Sequence, residues 1–348
     1  YTVEDNIALK DPTKMGYAFL GWYKENTKIT NIHPGNTGNM AIEARWNANL
    51  NKLSVTSEDD SKGTVSIALG NGYTDESITV TATPVDDYAF KGWYHGSIKV
   101  SDEATYTFKM PASDYSLVAY FYTKAEEQEE EWEKNHGVTP VLSSDKKTIT
   151  YGLYPQTVVS DAALAKELNS LTTTESNGWY LYNKEYYAKL SAQPHNFDGI
   201  YDRFNNGQPI VRSKTYWFKC EPITWNVLSK DDNGYFAVSS LVLAYYYYEG
   251  AMSNNYHDSE IRAWLNNTFY NSAFALGNKY IQTTTVDNSA STTDSSSNIY
   301  DCENTEDKVF LPSYKDYING EYGFGLTTNS SNTRECKTTD YARADGVY

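Results

Sequence analysis

An eight-residue motif occurs twice in this chain, and a repeat constrains a fold more tightly than composition does. Residues 16–23 read Gly-Tyr-Ala-Phe-Leu-Gly-Trp-Tyr and residues 87–94 read Asp-Tyr-Ala-Phe-Lys-Gly-Trp-Tyr, with six of eight positions identical at an offset of 71. Each copy follows a proline, Pro12 or Pro84, and precedes an apolar alternation, Ala41-Ile-Glu-Ala-Arg-Trp46 or Leu117-Val-Ala-Tyr-Phe121. One small β-unit is built twice. The alternating aromatics predict strands with one buried face. Gly21 and Gly92 predict a break or bulge ahead of the Trp-Tyr pair. Trp22 and Trp93 are both predicted to be buried, because a module this short has so little core that a single indole weighs heavily in it. The two modules are placed at 1–48 and 51–123.

Residues 124–135 change character: six glutamates and one apolar residue, Trp132, stand in a run of helix formers. A short charged helix acting as a semi-rigid spacer is expected, with Gly137 as its left-handed cap, so the linker is 124–137. The remainder, 138–348, reads as α+β. Strands are expected at 147–152, at 216–228 in two pieces separated at Pro222, and at 235–243, buried, after the Asp231-Asp-Asn-Gly234 turn. Helices are expected over 161–171, over 259–266 with Ile261, Trp264 and Leu265 on one face, and briefly over 268–274. Residues 282–300 read as a long polar loop.

Composition bounds the function. The chain carries 29 Lys and Arg against 45 Asp and Glu, a net charge of −16. A surface this acidic repels phosphate backbones, so no nucleic-acid partner is expected. No apolar run approaches the roughly 20 residues of a membrane-crossing helix, and no membrane span is expected. The 32 tyrosines among 348 residues, with loops rich in Ser, Thr and Asn, suit an extracellular β-rich protein. None of the five histidines falls in zinc-ligand spacing. There is no Gly-x-Ser-x-Gly elbow and no phosphate-binding glycine loop. Glu221 and Glu260 are available as paired carboxylates, but among so many acidic residues they carry no weight. No catalytic residue and no metal ligand is assigned. Calcium is the one ion the oxygen-rich turns at 231–234 and 301–307 suit, although neither spells an EF-hand loop.

The first octet with its flanks, Pro12-Thr-x-x-Gly-Tyr-x-Phe-x-Gly-Trp-Tyr23 and the strand ending in Ala44-x-Trp46, resembles the Listeria–Bacteroides repeat, related to the B repeats of internalins. Residues 51–123, with Gly63-Thr-Val65, Val80-Thr-Ala-Thr-Pro84 and Phe108-Lys-Met-Pro111, resemble its divergent form. The third region carries five ordered motifs. They are Ile149-Thr-Tyr-Gly-Leu-Tyr-Pro-Gln-Thr157, Trp217-Phe-Lys-Cys-Glu-Pro-Ile-Thr-Trp225, Ser259-Glu-Ile-Arg-Ala-Trp-Leu-Asn266, Asp307-Lys-Val-Phe-Leu311 and Thr339-Asp-Tyr-Ala342. Together they resemble an uncharacterised domain of gut Firmicutes surface proteins, itself similar to C-type-lectin-like folds of the formylglycine-generating-enzyme kind. The resemblance implies a multidomain chain: two small β-rich (β-grasp-like) stalk modules, the first N-terminally incomplete, then an α+β C-type-lectin-like domain, C-terminally incomplete. It also implies a Gram-positive, extracellular protein attached to the cell wall or cell surface.

On that footing the expected role is adhesion or ligand recognition, without catalysis, toward a host or neighbouring-cell glycan or protein. A purely structural surface spacer and a formylglycine-generating type of enzyme are the alternatives. Tyr245, Tyr246, Tyr247 and Tyr248 cannot all face one core. With Tyr256, which follows Ser253-Asn-Asn, they form the candidate binding surface, since tyrosine offers a flat apolar face and a hydroxyl. Export to an oxidising medium predicts a disulfide between Cys302 and Cys336, which flank the 307–311 segment in polar sequence, with Cys220 left as a buried thiol.

Overall fold

A computed structural model of the chain describes residues 2–67, 70–195, 202–248, 255–292, 301–324 and 335–347. The strand Tyr17–Lys24 carries the first octet and pairs antiparallel with Thr27–Ile29 and Glu43–Ala48. Tyr88–His95 carries the second and pairs with Ile98–Ser101 and Tyr115–Thr123. The register is the same in both. Phe19 lies opposite Trp46 and Trp22 opposite Ala44, as Phe90 lies opposite Phe121 and Trp93 opposite Ala119. Each octet strand runs on through its glycine, with a register shift between Phe19 and Gly21 and between Phe90 and Gly92. Those glycines adopt φ of +139° and +152°, which side-chain-bearing residues disfavour. In both copies a lysine, Lys28 or Lys99, lays its aliphatic stem where the glycine's Cβ would be.

The two modules cover their tryptophans differently. In the second, a five-stranded sheet contains the parallel pair Leu50–Ser57 and Tyr115–Thr123, and a three-stranded sheet joins Gly63–Ile67, Ser77–Pro84 and Thr105–Lys109. Both sheets contribute to one core, where Trp93 is 0% exposed among Val80, Met110 and Leu117. Here the second sheet covers the core, where a β-grasp would use a helix. The first module has only a three-stranded sheet and the ribbon of Ile7–Ala8 with Asn31–Ile32. Trp22 is accordingly half-buried, not buried as expected, and its indole N–H donates to Lys10 O at 2.9 Å. The modules are tied together. Asn49 alone separates Glu43–Ala48 from Leu50–Ser57, donating its N–H to Gly16 O and accepting from Thr74 N. The Tyr17 hydroxyl donates to Asp75 Oδ2 at 2.5 Å.

Compact units comprise Tyr1–Glu130 and Glu131–Tyr348, so the boundary falls inside the expected acidic helix, Lys124–Asn135. Gly137, at φ +64°, takes the left-handed conformation after its end. Its one aromatic residue is not solvated as on a plain charged rod. Trp132 packs half-buried against the core of the second unit, stacks on His136 at 4.3 Å and donates its indole N–H to Lys184 O.

The second unit is built on one long strand, Thr215–Lys230, bonded to Thr148–Val158, Glu185–Ser191 and Tyr235–Ser239. It is not divided at Pro222. Instead Pro222 lies opposite Leu153, just past Gly152 (φ +80°), where the partner strand slips register. A missing N–H is tolerated at such an irregularity. The expected buried strand over 235–243 is two shorter half-buried pieces, Tyr235–Ser239 and Leu241–Val242. Helix Ala162–Leu168 starts at Asp161, whose carboxylate accepts from Ala163 N and Leu164 N. The two helices expected over 259–274 are one continuous run: Glu260–Trp264, a widened π turn over Leu265–Phe269, then Tyr270–Ala273. Ile261, Leu265, Phe269, Tyr270 and Ala273 form its buried face. Within the expected polar loop, Thr284–Val286 is a strand pairing with Thr305–Asp307, and regular pairing ends at Asp307, the first residue of the 307–311 motif. Residues 293–300 of that loop lie outside the described residues.

Two of the sequence motifs meet in a polar knot. Arg262 Nε donates to Asp307 Oδ1 at 2.9 Å and Oδ2 at 3.1 Å, and its Nη1 to His257 O. Thr305 Oγ1 and Asn266 Nδ2 also donate to the Asp307 carboxylate, which is 1% exposed. A buried carboxylate survives only with such a full set of donors. All three cysteines are free thiols: Cys220 buried, Cys302 half-buried, Cys336 exposed. The expected Cys302–Cys336 disulfide is therefore absent. Cys302 is tied by its N–H to Asn288 O beside the Thr284–Val286 hairpin, whereas Cys336 adjoins Lys337–Thr338, which pairs with Leu241–Val242. The two adjoin different sheets.

Candidate ligand-recognition surface

The tyrosine run leaves the strand Leu241–Val242 in irregular backbone. Its main chain is pinned at both ends. Tyr245 N donates to Asp345 Oδ2 at 3.2 Å, and Tyr248 O accepts from Ile261 N at the start of the long helical run. Between these anchors the side chains split as four adjacent aromatics must. Tyr245, Tyr246 and Tyr247 are 48%, 36% and 56% exposed, whereas Tyr248 and Tyr256 pack half-buried against the core. Three of the five predicted residues therefore face solvent and two serve packing. Burial pushes the Tyr256 hydroxyl well above the usual phenol range, with the nearby Asp307 charge adding to it. Ser253 and Asn254 lie outside the described residues.

The exposed tyrosines form a stack with the helix. Tyr247 and Tyr246 have ring centroids 4.8 Å apart, and Tyr246 lies 5.1 Å from Trp264 at 15°, a face-to-face arrangement. Trp264 in turn meets Phe269 at 5.6 Å, and Phe269 meets Tyr154 at 5.0 Å in the core. The exposed rings thus stand on a packed aromatic column. Trp264 was read from helical spacing as a core residue. Its second role could not be read there, because the partner lies outside the helix.

The groups considered for chemistry are occupied otherwise. Glu221 accepts from Thr157 Oγ1 at 2.6 Å, and Glu260 is an exposed residue in a helix first turn. Burial pushes the Cys220 thiol well up, which disfavours its thiolate. In the 231–234 turn the Asp231 carboxylate accepts from Asn233 N and Gly234 N, and Asp307 belongs to the arginine knot. Among the described residues no three His, Cys, Asp or Glu side chains converge to hold a metal ion. Asp340 is 3% exposed and bonds Val158 N and Asn205 N, so the Tyr-Pro-Gln-Thr157 and Thr339-Asp-Tyr-Ala342 motifs meet as a structural tie.

Residues 2–44 match the model of the Listeria–Bacteroides repeat domain, and residues 53–125 that of the divergent InlB B-repeat domain. Residues 234–345 match a domain of unknown function, DUF6273. The first third of the chain thus carries repeat domains of the bacterial surface type. The 149–157 and 217–225 motifs lie outside the third match. No solved structure matches the chain. No helix among the described residues is long and apolar enough to cross a membrane.

Proposed function

We propose that this chain is part of an extracellular, cell-surface-attached protein of a Gram-positive bacterium, in which two repeat modules carry a non-catalytic recognition domain. The ligand is a host or neighbouring-cell glycan or protein, and binding requires no cofactor. Support for the stalk comes from the repeat matches. Reading the third region as lectin-like rests on its five ordered motifs. One observation carries the recognition role: Tyr247 and Tyr246, 56% and 36% exposed, stand in solvent on Trp264, from a backbone anchored at both ends. Contiguous exposed aromatic surface is costly unless a partner covers it, and aromatic residues are enriched where partners dock.

The test is binding of the full chain to arrays of glycans and host proteins, with a Tyr246→Ser/Tyr247→Ser variant beside it. Loss of binding with a melting temperature within a few degrees of the parent is the expected result. A folded variant that binds undiminished overturns the site. A parent chain that binds nothing on either array leaves the spacer reading in its place.

A further inference from the structure

The aromatic shelf continues along the helix that supports it. Trp264, Asn267, Thr268 and Asn271 occupy the outer side of the helical run, while Ile261, Leu265, Phe269 and Tyr270 are buried. The π turn sets this arrangement. Asn266 is held inward, donating to Asp307 and Val309 O and accepting from Lys308 N, so Asn267 and Thr268 are turned outward in the widened turn. Asn267, Thr268, Asn271 and Ser272 then line a recess of about 390 Å³ with Ser176 and Asn177.

The chemistry of that recess is selective. Every lining side chain is an amide or a hydroxyl and none is charged, in a chain of net charge −16. Asn177 Oδ1 accepts from Trp179 N; the side chains of Asn267, Thr268 and Asn271 have no hydrogen-bond partner within the described residues. Amides both donate and accept, as sugar hydroxyls do. A carboxylate or phosphate placed here would find no cation among the lining groups. Beside the recess, the shelf offers the flat apolar surface that the C–H face of a pyranose covers. From Trp264 to Asn271 the helix rises about 10 Å, roughly two residues of a pyranose chain.

We propose that shelf and recess are one site for a neutral oligosaccharide of at least two pyranose units, packed on the exposed Tyr246–Tyr247 pair that Trp264 supports and hydrogen-bonded by Asn267 and Asn271. This rests on the reading of the tyrosines as a recognition face. The experiment titrates the full chain calorimetrically with cellotetraose, mannotetraose and chitotetraose, with their monosaccharides, and with tetragalacturonate. At least one neutral tetrasaccharide should bind about tenfold or more tighter than its monosaccharide and than tetragalacturonate. Asn267→Ala/Asn271→Ala should weaken that binding by about tenfold or more without moving the melting temperature, as two lost hydrogen bonds require.

The inference is overturned if no neutral tetrasaccharide binds more tightly than about 10 mM. It is overturned equally if tetragalacturonate binds best, or if the asparagine variant binds like the parent. Where the asparagine variant keeps an array ligand that Tyr246→Ser/Tyr247→Ser loses, the oligosaccharide site falls and the tyrosine surface stands. Where both variants keep it, both readings fall.

Discussion

Asp307 shows how much one residue can hold together. It is buried, charged, and engaged by Arg262, Asn266 and Thr305, so removing it strands a guanidinium and two further donors. Asp307→Ala should lower the stability of the second unit by about 3–5 kcal/mol in urea unfolding. Arg262→Met/Asp307→Leu should cost clearly less than the sum of the single changes, because no lone charge remains. Equal additivity would show that the knot is not a coupled pair. Asp345 makes the opposite case. Burial raises its carboxyl above the usual carboxylate range, outweighing the Tyr245 N–H that favours the charged form. A folded-state value raised above the unfolded one means stability is fully present at low pH and lost as pH rises through the raised value. Asp231, lowered by the N–H groups of Asn233 and Gly234, works in the other direction and loses stability as pH falls. Subtracting Asp345→Asn from the parent, from pH 3 to 8, should therefore isolate a stability difference that grows in the variant's favour toward neutral pH. A difference independent of pH would refute the assignment.

At the scale of elements, the bulged octet strand was the most legible feature, because everything that makes it lies within eight residues. The tyrosine alternation, the glycine and the Trp-Tyr pair state a half-buried strand with a kink, and the structure has one in each module. Lys28 and Lys99 were not legible, since they reach their glycines across a hairpin. The disulfide failed for the same reason: the 33 residues between Cys302 and Cys336 do not say that the two will adjoin different sheets. Pro222 misled because a proline was read as a strand end, while Gly152 in the neighbouring strand supplied the irregularity that accommodates it. The shelf was half legible: four consecutive tyrosines announce exposure, but nothing local names Trp264 as their support. The bulge itself is testable. A Cβ at Gly92 would come within 3.1 Å of Ser101 O as well as the Lys99 stem, at a φ that favours glycine. Gly92→Ala should cost about 1–3 kcal/mol, read as faster amide exchange along Tyr88–His95. Gly70→Ala, which meets nothing within 4 Å, should stay within about 0.5 kcal/mol of the parent. Similar losses at both positions would show that the bulge does not need glycine.

The whole molecule turns on where the acidic helix belongs. Composition alone makes Lys124–Asn135 a solvated rod, for six of its twelve residues are glutamate and no residue in it is fully buried. Its single apolar residue contradicts that. Trp132 packs against the same core as Tyr186, stacks on His136, and satisfies its indole N–H on Lys184 O. Gly137, directly after, accepts from Gly152 N through its carbonyl and leaves no room for a Cβ against Gly152 O. The end of the helix is thus fastened to the second unit by an indole, a stacked imidazole and a backbone pair, whereas its first residue, Lys124, donates from N and Nζ to Asp87 O and Asp86 O of the second repeat module. A fully buried Trp→Ala change costs about 3–5 kcal/mol, and this ring is half in water. Trp132→Ala should therefore cost about 2–3 kcal/mol, seen in calorimetry of the full chain as a lower transition for the second unit with that of the repeat modules unmoved. Glu129→Gln, on an exposed position of the same helix, should leave both transitions in place. If Trp132→Ala behaves like Glu129→Gln, the helix is the plain charged rod that its composition describes, and the second unit does not depend on it.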